Sequence, residues 1–328
     1  MAELSLIEAL RAGLDEAMAA DERIFIFGED VGKRGGVFRV TEGLQEKYGP
    51  WRVMDSPLAE GVIVGACIGA AMYGMRPIAE IQFADFIWPA MNQIVSEAAR
   101  MAYRSNGDWN VPLVIRAPYG GGIHGALYHS QSVESIFAHV PGLKVVVPAT
   151  PYDVKGMIKS AIADPDPVLF FEHKKTYRLI KGEVPDGDYT VPIGQADIKR
   201  EGSDLSVITY GLMLHYALEA AETLAREDGV ETEVLDLRTV RPLDTDAILA
   251  TARKTGKVLI VHEDNLTGGI GGEVAALIAE HAFEYLDGPI MRLCAPDVPA
   301  MPFAATLEEA FMPSPEKIAA KLRELAAY

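Results

Sequence analysis

EGVIVGACIGAAMYGMRPIAEIQF, residues 60–83, decides the fold. The apolar run over 60–73 reads as a helix, and PIAEIQF over 77–83 reads as a short buried strand. An apolar helix feeding a buried strand is the repeating unit of a parallel α/β layer. The same alternation continues on both sides. Toward the N-terminus, Ser5 with Glu8 three residues on forms a capping box, and Leu6, Leu10, Leu14 and Met18 follow at helical spacing. RIFIFGED then reads as a strand entering a turn. Toward the C-terminus the pattern predicts a helix over 88–105, strands over 112–117 and 143–147, a helix over 151–163 and a strand over 168–172.

Residues 181–203, KGEVPDGDYTVPIGQADIKREGS, are polar, carry Pro and Gly and have no helical period, so a junction is expected there. A second α/β set follows, with strands DLSVITY, TEVLDL and KVLIVHE and helices near 215–226, 244–253 and 271–284. An amphipathic helix in MPSPEKIAAKLRELAA closes it. The predicted organisation is a parallel-sheet domain over 1–185, a linker over 186–203 and a second α/β domain over 204–328. A length of 328 residues, with 49% hydrophobic and 23% charged residues, suits two globular domains with their own cores.

No apolar run reaches the roughly 18–20 residues that cross a bilayer, and MAELSLIEAL lacks the basic start of a signal peptide, so a cytoplasmic protein without a membrane partner is expected. Cys67 and Cys294 stand far apart, with no CxxC or Cys/His cluster to suggest a disulfide framework or zinc. A net charge of −17 repels phosphate backbones and argues against nucleic acid as a partner.

Ligands of open α/β sheets sit beyond the carboxyl ends of the strands. In the first domain those ends carry Gly28, Glu29 and Asp30, then Gln82, Phe83, Asp85 and Phe86, then the loop in APYGGGIHGALYHSQSVES, residues 117–135. In the second they carry Tyr210, the Asp236–Arg238 region, and His262, Glu263 and Asp264. Glu60 opens an apolar helix, where the dipole favours a carboxylate and the dry surroundings disfavour one. By itself it reads more readily as an ordinary acid of a first helical turn. IQFADF offers an amide and a stacking face, or two core phenylalanines. His129 lies among small neighbours that let a substrate approach, and imidazole titrates near neutral pH. It also reads as a hydrogen-bonded structural histidine, with His124 a rival in the same loop. GGIGG at 268–272 departs from the dinucleotide spacing and reads as a tight turn into a helix. GxSxG, a Walker loop and HExxH do not occur, which lowers the standing of hydrolase readings.

Four stretches, FGEDVGKRGGVFRVTEGLQEKYGPWRVMDSPLAEGVIVGACIGAA, RPIAEIQFADFIWPAMNQIVSEAARMAYRS, GGGIHGALYHSQS and HVPGLKVVVPATPYDVKGMIKSAIADPDPVLFFE, together resemble one family. It is the beta subunit of the thiamine-diphosphate-dependent first component of 2-oxo acid dehydrogenase complexes. The resemblance runs through LDLRTVRPLD in the second domain and implies a pyrimidine-binding domain followed by a transketolase C-terminal-like domain. It implies that Glu60 of PLAE hydrogen-bonds N1′ of the cofactor's aminopyrimidine, favouring the imino form whose exocyclic nitrogen takes the C2 proton. It places Glu29, Leu58, Ala59 and Gln82 around the cofactor and Phe86 against its ring. His129 would interact with the 2-oxo acid and assist acyl transfer to a lipoyl group. Ala161, Ile162, Asp164 and Asp166 of SAIADPDP match a structural monovalent-cation loop, K⁺ being the ion expected, although related chains often carry Asn where Asp166 stands.

The superfamily's GDG motif for diphosphate and Mg²⁺ does not occur in this chain. The resemblance therefore implies an alpha chain that holds Mg²⁺ and the diphosphate, an alpha2-beta2 heterotetramer, and docking of a lipoyl acyltransferase core through its small basic subunit-binding domain. KRGGVF and HGALYHSQS lean toward a branched-chain 2-oxo acid. Pyruvate and acetoin dehydrogenase beta subunits are the alternatives, followed by another thiamine-dependent ketol transfer or synthase and a non-catalytic scaffold.

Overall fold

The capping box at the N-terminus forms as its spacing predicts. Ser5 Oγ accepts from the Glu8 amide at 3.4 Å, and the Glu8 carboxylate accepts from the Ser5 amide at 2.8 Å, opening helix Leu6–Ala20. Leu6, Leu10, Leu14 and Met18 are all buried, each burial contributing about 1.5–3 kcal/mol. They pack on helix Pro151–Ala163, whose Ile158 side chain comes so close to Gly13 that a Cβ there would lie 2.6 Å from it. Thr150 caps that second helix by accepting from the Asp153 amide, and Pro151 occupies its first turn, where no amide is needed.

The computed structural model describes all residues, Met1–Tyr328, and resolves into two compact units. The first comprises Met1–Tyr119 and Ile136–Ile193. Its strands are β1 (Ala2–Ser5), β2 (Ile24–Gly28), β3 (Val53–Asp55), β4 (Arg76–Glu80), β5 (Val114–Tyr119), β6 (Lys144–Val146), β7 (Val168–His173) and β8 (Lys181–Val184). The main sheet runs β6–β7–β5–β4–β2–β3 with every pair parallel, and β1 and β8 form a separate antiparallel pair. The second unit comprises Gly120–Ser135 and Gly194–Tyr328. Its strands are β9 (Asp197–Arg200), β10 (Leu205–Thr209), β11 (Thr232–Asp236), β12 (Thr239–Arg241), β13 (Val258–Asn265) and β14 (Met291–Ala295). Its sheet runs β14–β13–β10–β11–β9, parallel except for β9.

Three features differ from the pattern-based reading. The helix expected over 88–105 is a succession of a 3₁₀ turn at Trp88–Ala90, a π-helical segment at Asn92–Glu97, a second 3₁₀ turn at Ala98–Arg100 and a single α-turn at Met101–Arg104. Turns of unequal width cannot be read from apolar spacing, which presumes one period throughout. The polar stretch 186–203 contains edge strand β9, held in register by pairing with β11. The loop 120–135 belongs to the second unit, because its amides and Ser135 bond to residues of that unit.

The first sheet is organised around Arg116 on β5, which is fully buried. Its Nε donates to Glu172 Oε1 on β7 at 2.7 Å and its Nη1 to Glu80 Oε2 on β4 at 2.5 Å, while Tyr177 donates to Glu172 Oε2 at 3.1 Å. Burial disfavours the guanidinium, yet the two carboxylates raise its pKa above the ordinary value. At Glu172 the balance goes the other way, since burial raises the carboxyl pKa and Arg116 pulls it down without cancelling the rise. Replacing Arg116→Met would strand two buried carboxylates, and a loss of about 3–5 kcal/mol is expected in chemical denaturation of the purified chain. Adding Glu80→Gln and Glu172→Gln to the same chain should recover most of it. A single-variant loss below about 1 kcal/mol would show that the triad is not a structural anchor.

Candidate active site

In the first unit, Glu29 follows β2 and Gln82 follows β4, so adjacent parallel strands deliver both to the same end of the sheet. Glu60 arrives separately as the first residue of helix Glu60–Met72. Glu29 is 5% exposed, and its carboxylate accepts a hydrogen bond from the Ala59 amide, immediately before Glu60. Its Oε1 is buried and has no hydrogen-bond partner within the protein. Burial raises the Glu29 pKa above the ordinary value, with the charges of Glu60 and Asp30 adding to the rise and the Ala59 bond opposing it. Gln82 Nε2 donates to the Glu29 carbonyl oxygen at 3.4 Å. Phe86 stands edge-on to Phe83 at 5.7 Å between ring centres, and Leu58 is 83% exposed. Glu29, Ala59, Glu60 and Gln82 thus form one cluster, with an unsatisfied acceptor, a second carboxyl and an amide. An aromatic ring on the same strand-end segment completes the inventory that a flat heterocycle with ring nitrogens and an exocyclic amine requires.

In the second unit, the Gly120 amide donates to the Gln131 carbonyl oxygen at 3.0 Å and closes the neck of the loop. His129 caps a 3₁₀ turn at Ala126–Tyr128, with Leu127 and Tyr128 exposed beside it. Carboxylates hold both ends of the loop. Glu263, the last residue of the buried run of β13, accepts from the Gly121 amide, and Glu308 of helix Ala305–Phe311 accepts from the amides of Gly122 at 2.9 Å and His124 at 3.2 Å. Glu308 Oε2 also meets His124 Nδ1 at 2.6 Å. At the far end Tyr210 donates to Glu134 Oε1 at 2.8 Å, and Ser135 Oγ accepts from the Ile270 amide at 3.1 Å.

Residues 2–180 match the family described as transketolase, pyrimidine binding domain, and residues 194–318 match transketolase, C-terminal domain. The 2-oxoisovalerate dehydrogenase subunit beta of Bacillus subtilis (strain 168) is 62% identical over 328 residues, covering 100% of both chains. The chain belongs to the beta-subunit family of the 2-oxo acid dehydrogenases. The pyruvate dehydrogenase E1 component subunit beta of the same organism is 46% identical over 328 residues, again covering 100% of both chains. A solved structure described as a split gene transketolase, inactive beta4 tetramer, agrees with a TM-score of 0.80 at 23% identity, over 99% of this chain and 98% of that one. That agreement concerns the fold alone.

This family is thiamine-dependent, and the first-unit cluster fits the aminopyrimidine of that cofactor on its own terms. Glu29 Oε1 is a buried acceptor lacking a donor, and Glu60 stands beside it at a helix start. The monovalent-cation residues are arranged differently from an open cage. The Ile162 carbonyl oxygen accepts from Arg76 Nη1 at 2.6 Å and the Ala161 carbonyl from the Asp164 amide at 3.3 Å. Lys144 Nζ lies 2.6 Å from Asp164 Oδ1 and 3.2 Å from Asp166 Oδ2. Three of these groups face Arg76 or Lys144 and the fourth a backbone amide, an arrangement that does not fit a bare ion, and no chemical step is drawn through one there. No group of three or more His, Cys, Asp or Glu side chains converges as a metal site, and no helix is long and apolar enough to cross a membrane.

The sequence reading named Glu29, Glu60, Gln82, Phe86 and His129 as candidates but not all of the carboxylates that hold the loop. Tyr210 and Glu263 were visible as strand-end residues, whereas Glu134 and Glu308 carried no local signal. The Glu308 contacts span 184 and 186 residues of sequence.

Burial, with the charges of Asp264 and Glu263, pushes the Glu134 carboxyl up to about 8, against the opposing bond from Tyr210. A carboxyl whose folded pKa lies above its unfolded value contributes stability that is full below the unfolded pKa and is lost as pH rises through the folded one. The Tm of Glu134→Gln relative to the unmodified chain is therefore expected to climb between about pH 5 and pH 8. A constant difference in Tm across that range would remove the assignment.

Proposed function

We propose that this chain is the beta subunit of an alpha2-beta2 2-oxo acid dehydrogenase that oxidatively decarboxylates a branched-chain 2-oxo acid and passes the acyl group to a lipoyl group. The observation that carries the reading is the buried, donor-less Oε1 of Glu29 beside Glu60 at the strand ends. Bound thiamine diphosphate supplies a nucleophilic carbon and an electron sink for decarboxylation. In this reading Glu60 holds a proton at pyrimidine N1′, Glu29 and Gln82 orient the ring through polar contacts, and Phe86 covers one face. Leu58 and Ala59 form the wall before the helix, and helix Glu60–Met72, with Ile63, Val64 and Cys67 buried, helps to exclude water. His129 assists the transfer to the lipoyl group as a proton-handling side chain.

The diphosphate and its Mg²⁺ are assigned to an alpha chain, because the motif for them does not occur here. A net charge of −17 suits docking of the basic subunit-binding domain of an acyltransferase. The branched-chain preference rests on the name of the relative at 62% identity, against 46% for the pyruvate relative. One methylene in an apolar pocket discriminates by about 1–3 kcal/mol, so few residues separate the two preferences.

With an alpha partner, kcat/KM is expected to be at least about 10-fold higher for 2-oxoisovalerate than for pyruvate, with 2-oxobutyrate between. The reverse order would transfer the reading to pyruvate, and turnover of none of the three would overturn it altogether. Glu60→Ala is expected to slow hydrogen exchange at C2 of the bound cofactor by about 10²–10⁴-fold. His129→Ala is expected to spare cofactor binding and to depress reductive acylation of a lipoyl domain. Unchanged C2 exchange in the first variant, or normal acylation in the second, would refute the corresponding role.

A further inference from the structure

We propose that Glu308 is a positioning residue for His129, acting through the backbone of Gly122–Gly125. The proposal rests on the reading of His129 as the side chain that assists acyl transfer.

Three consecutive glycines, Gly120, Gly121 and Gly122, open the loop, so this segment has no side chains with which to anchor itself. The anchor comes from Glu308, which is 3% exposed and commits both oxygens to the loop. Its Oε1 accepts from the amides of Gly122 and His124 at 2.9 and 3.2 Å, and its Oε2 meets His124 Nδ1 at 2.6 Å. The backbone held in this way is a demanding one, since His124 and Ala126 have φ of 56° and 57°, in the left-handed region that residues with a Cβ seldom occupy. A loop released from Glu308 would relax away from it. The next residue transmits the constraint directly. Gly125 packs so closely on His129 that a Cβ there would lie 2.7 Å from the His129 carbonyl oxygen, 2.8 Å from its Cβ and 2.8 Å from Ser130 Oγ. The contact path therefore runs from Glu308 to His124, to Gly125, to the backbone that carries the imidazole. Glu263 accepts from the Gly121 amide at the root of the loop.

The test compares Glu308→Ala, Glu308→Gln, His124→Asn and His129→Ala in the enzyme assembled with its alpha partner, together with amide hydrogen exchange of the cofactor-free chain over residues 120–129. Glu308→Ala is expected to speed loop exchange at least about 10-fold. It should also slow reductive acylation of a lipoyl domain by about 10²-fold, as a displacement near 1 Å can do. Thiamine diphosphate affinity and 2-oxo acid decarboxylation with an artificial electron acceptor should stay within about threefold of the unmodified enzyme, because the effect enters only through His129. The amide oxygen of Glu308→Gln can still accept from Gly122 and His124, and Asn tolerates a positive φ, so both conservative variants should restore much of the exchange protection and of the acylation rate.

Unchanged loop exchange or unchanged acylation in Glu308→Ala would overturn the proposal, as would an equal fall in cofactor affinity and in both assays. If Glu308→Ala does not assemble, the conservative pair decides, and protection and acylation in both variants no better than in an enzyme carrying His129→Ala would overturn it. Normal acylation in His129→Ala would sink the underlying functional reading, while loop exchange would still establish or refute the hold of Glu308 on the loop.

Discussion

A guanidinium that cannot lose its proton sits at the centre of the first sheet, and the arrangement of that sheet follows from the need to neutralise it. Arg116 is fully buried on β5, between β4 and β7, and each neighbour supplies one carboxylate. Solvation of a buried charge is replaced only by partners in good geometry, so the three strands are constrained to one register. Displacing β4 by one residue would turn Glu80 to the other face and leave the charge bare. Gln82 lies two residues beyond Glu80, and Glu29 follows the strand paired with β4. The position of the Glu29 and Gln82 cluster is thus inherited from an ion network that does not enter the chemistry proposed for the site.

The second unit meets a different constraint. Its glycine-rich loop exposes backbone amides in a conformation without regular pairing, and such donors need acceptors. Glu263 and Glu308 supply them at one end, and Tyr210 with Glu134 ties down the other. Concentrating acids around a loop raises their mutual repulsion, and at Glu134 burial and the charges of Asp264 and Glu263 favour the protonated form. Protonation of Glu134 lowers that repulsion. Holding this loop thus involves one carboxyl, Glu134, whose state depends on pH.

The legible parts of the sequence were those set by local rules. Helix Pro151–Ala163 coincides with its predicted span because Thr150, Pro151 and the apolar spacing all act within a few residues. The closing helix begins at Pro315 after the cap Ser314 for the same reason. The misread parts were those set at a distance. The π-helical segment at Asn92–Glu97 packs beneath glycines of another helix, with Gln93 Cγ 3.5 Å from where a Cβ of Gly65 would stand. Periodicity along its own chain contains no trace of that neighbour. Strand order placed the loop 120–135 with the domain whose strand it leaves, whereas hydrogen bonds spanning up to 186 residues assign it to the other unit. Glu29 and Glu60 were visible as residue types at strand and helix ends, but the donor-less oxygen that makes them a cluster is a property of three-dimensional burial.

Glu29 Oε1 in the first unit has no hydrogen-bond partner within the protein, whereas the backbone amides at the start of the glycine loop in the second unit are met. A buried acceptor without a donor costs about 1–3 kcal/mol, and Glu29 Oε1 carries that cost in the folded chain. A ligand whose donor reaches this oxygen removes the cost on binding, so instability stored in the protein becomes affinity and orientation for a heterocycle with a correctly placed N–H. In the glycine loop that carries His129, backbone donors are met instead. There the amides of Gly121, Gly122 and His124 are satisfied internally. Glu134 Oε2 of the same loop and Arg116 Nη2 of the buried triad also lack a partner, so an unpaired atom points to a ligand only where, as at Glu29, it joins a cluster at the strand ends. In the proposed reading the Glu29 cluster binds the cofactor and the held loop positions His129, and neither arrangement is visible in the sequence pattern.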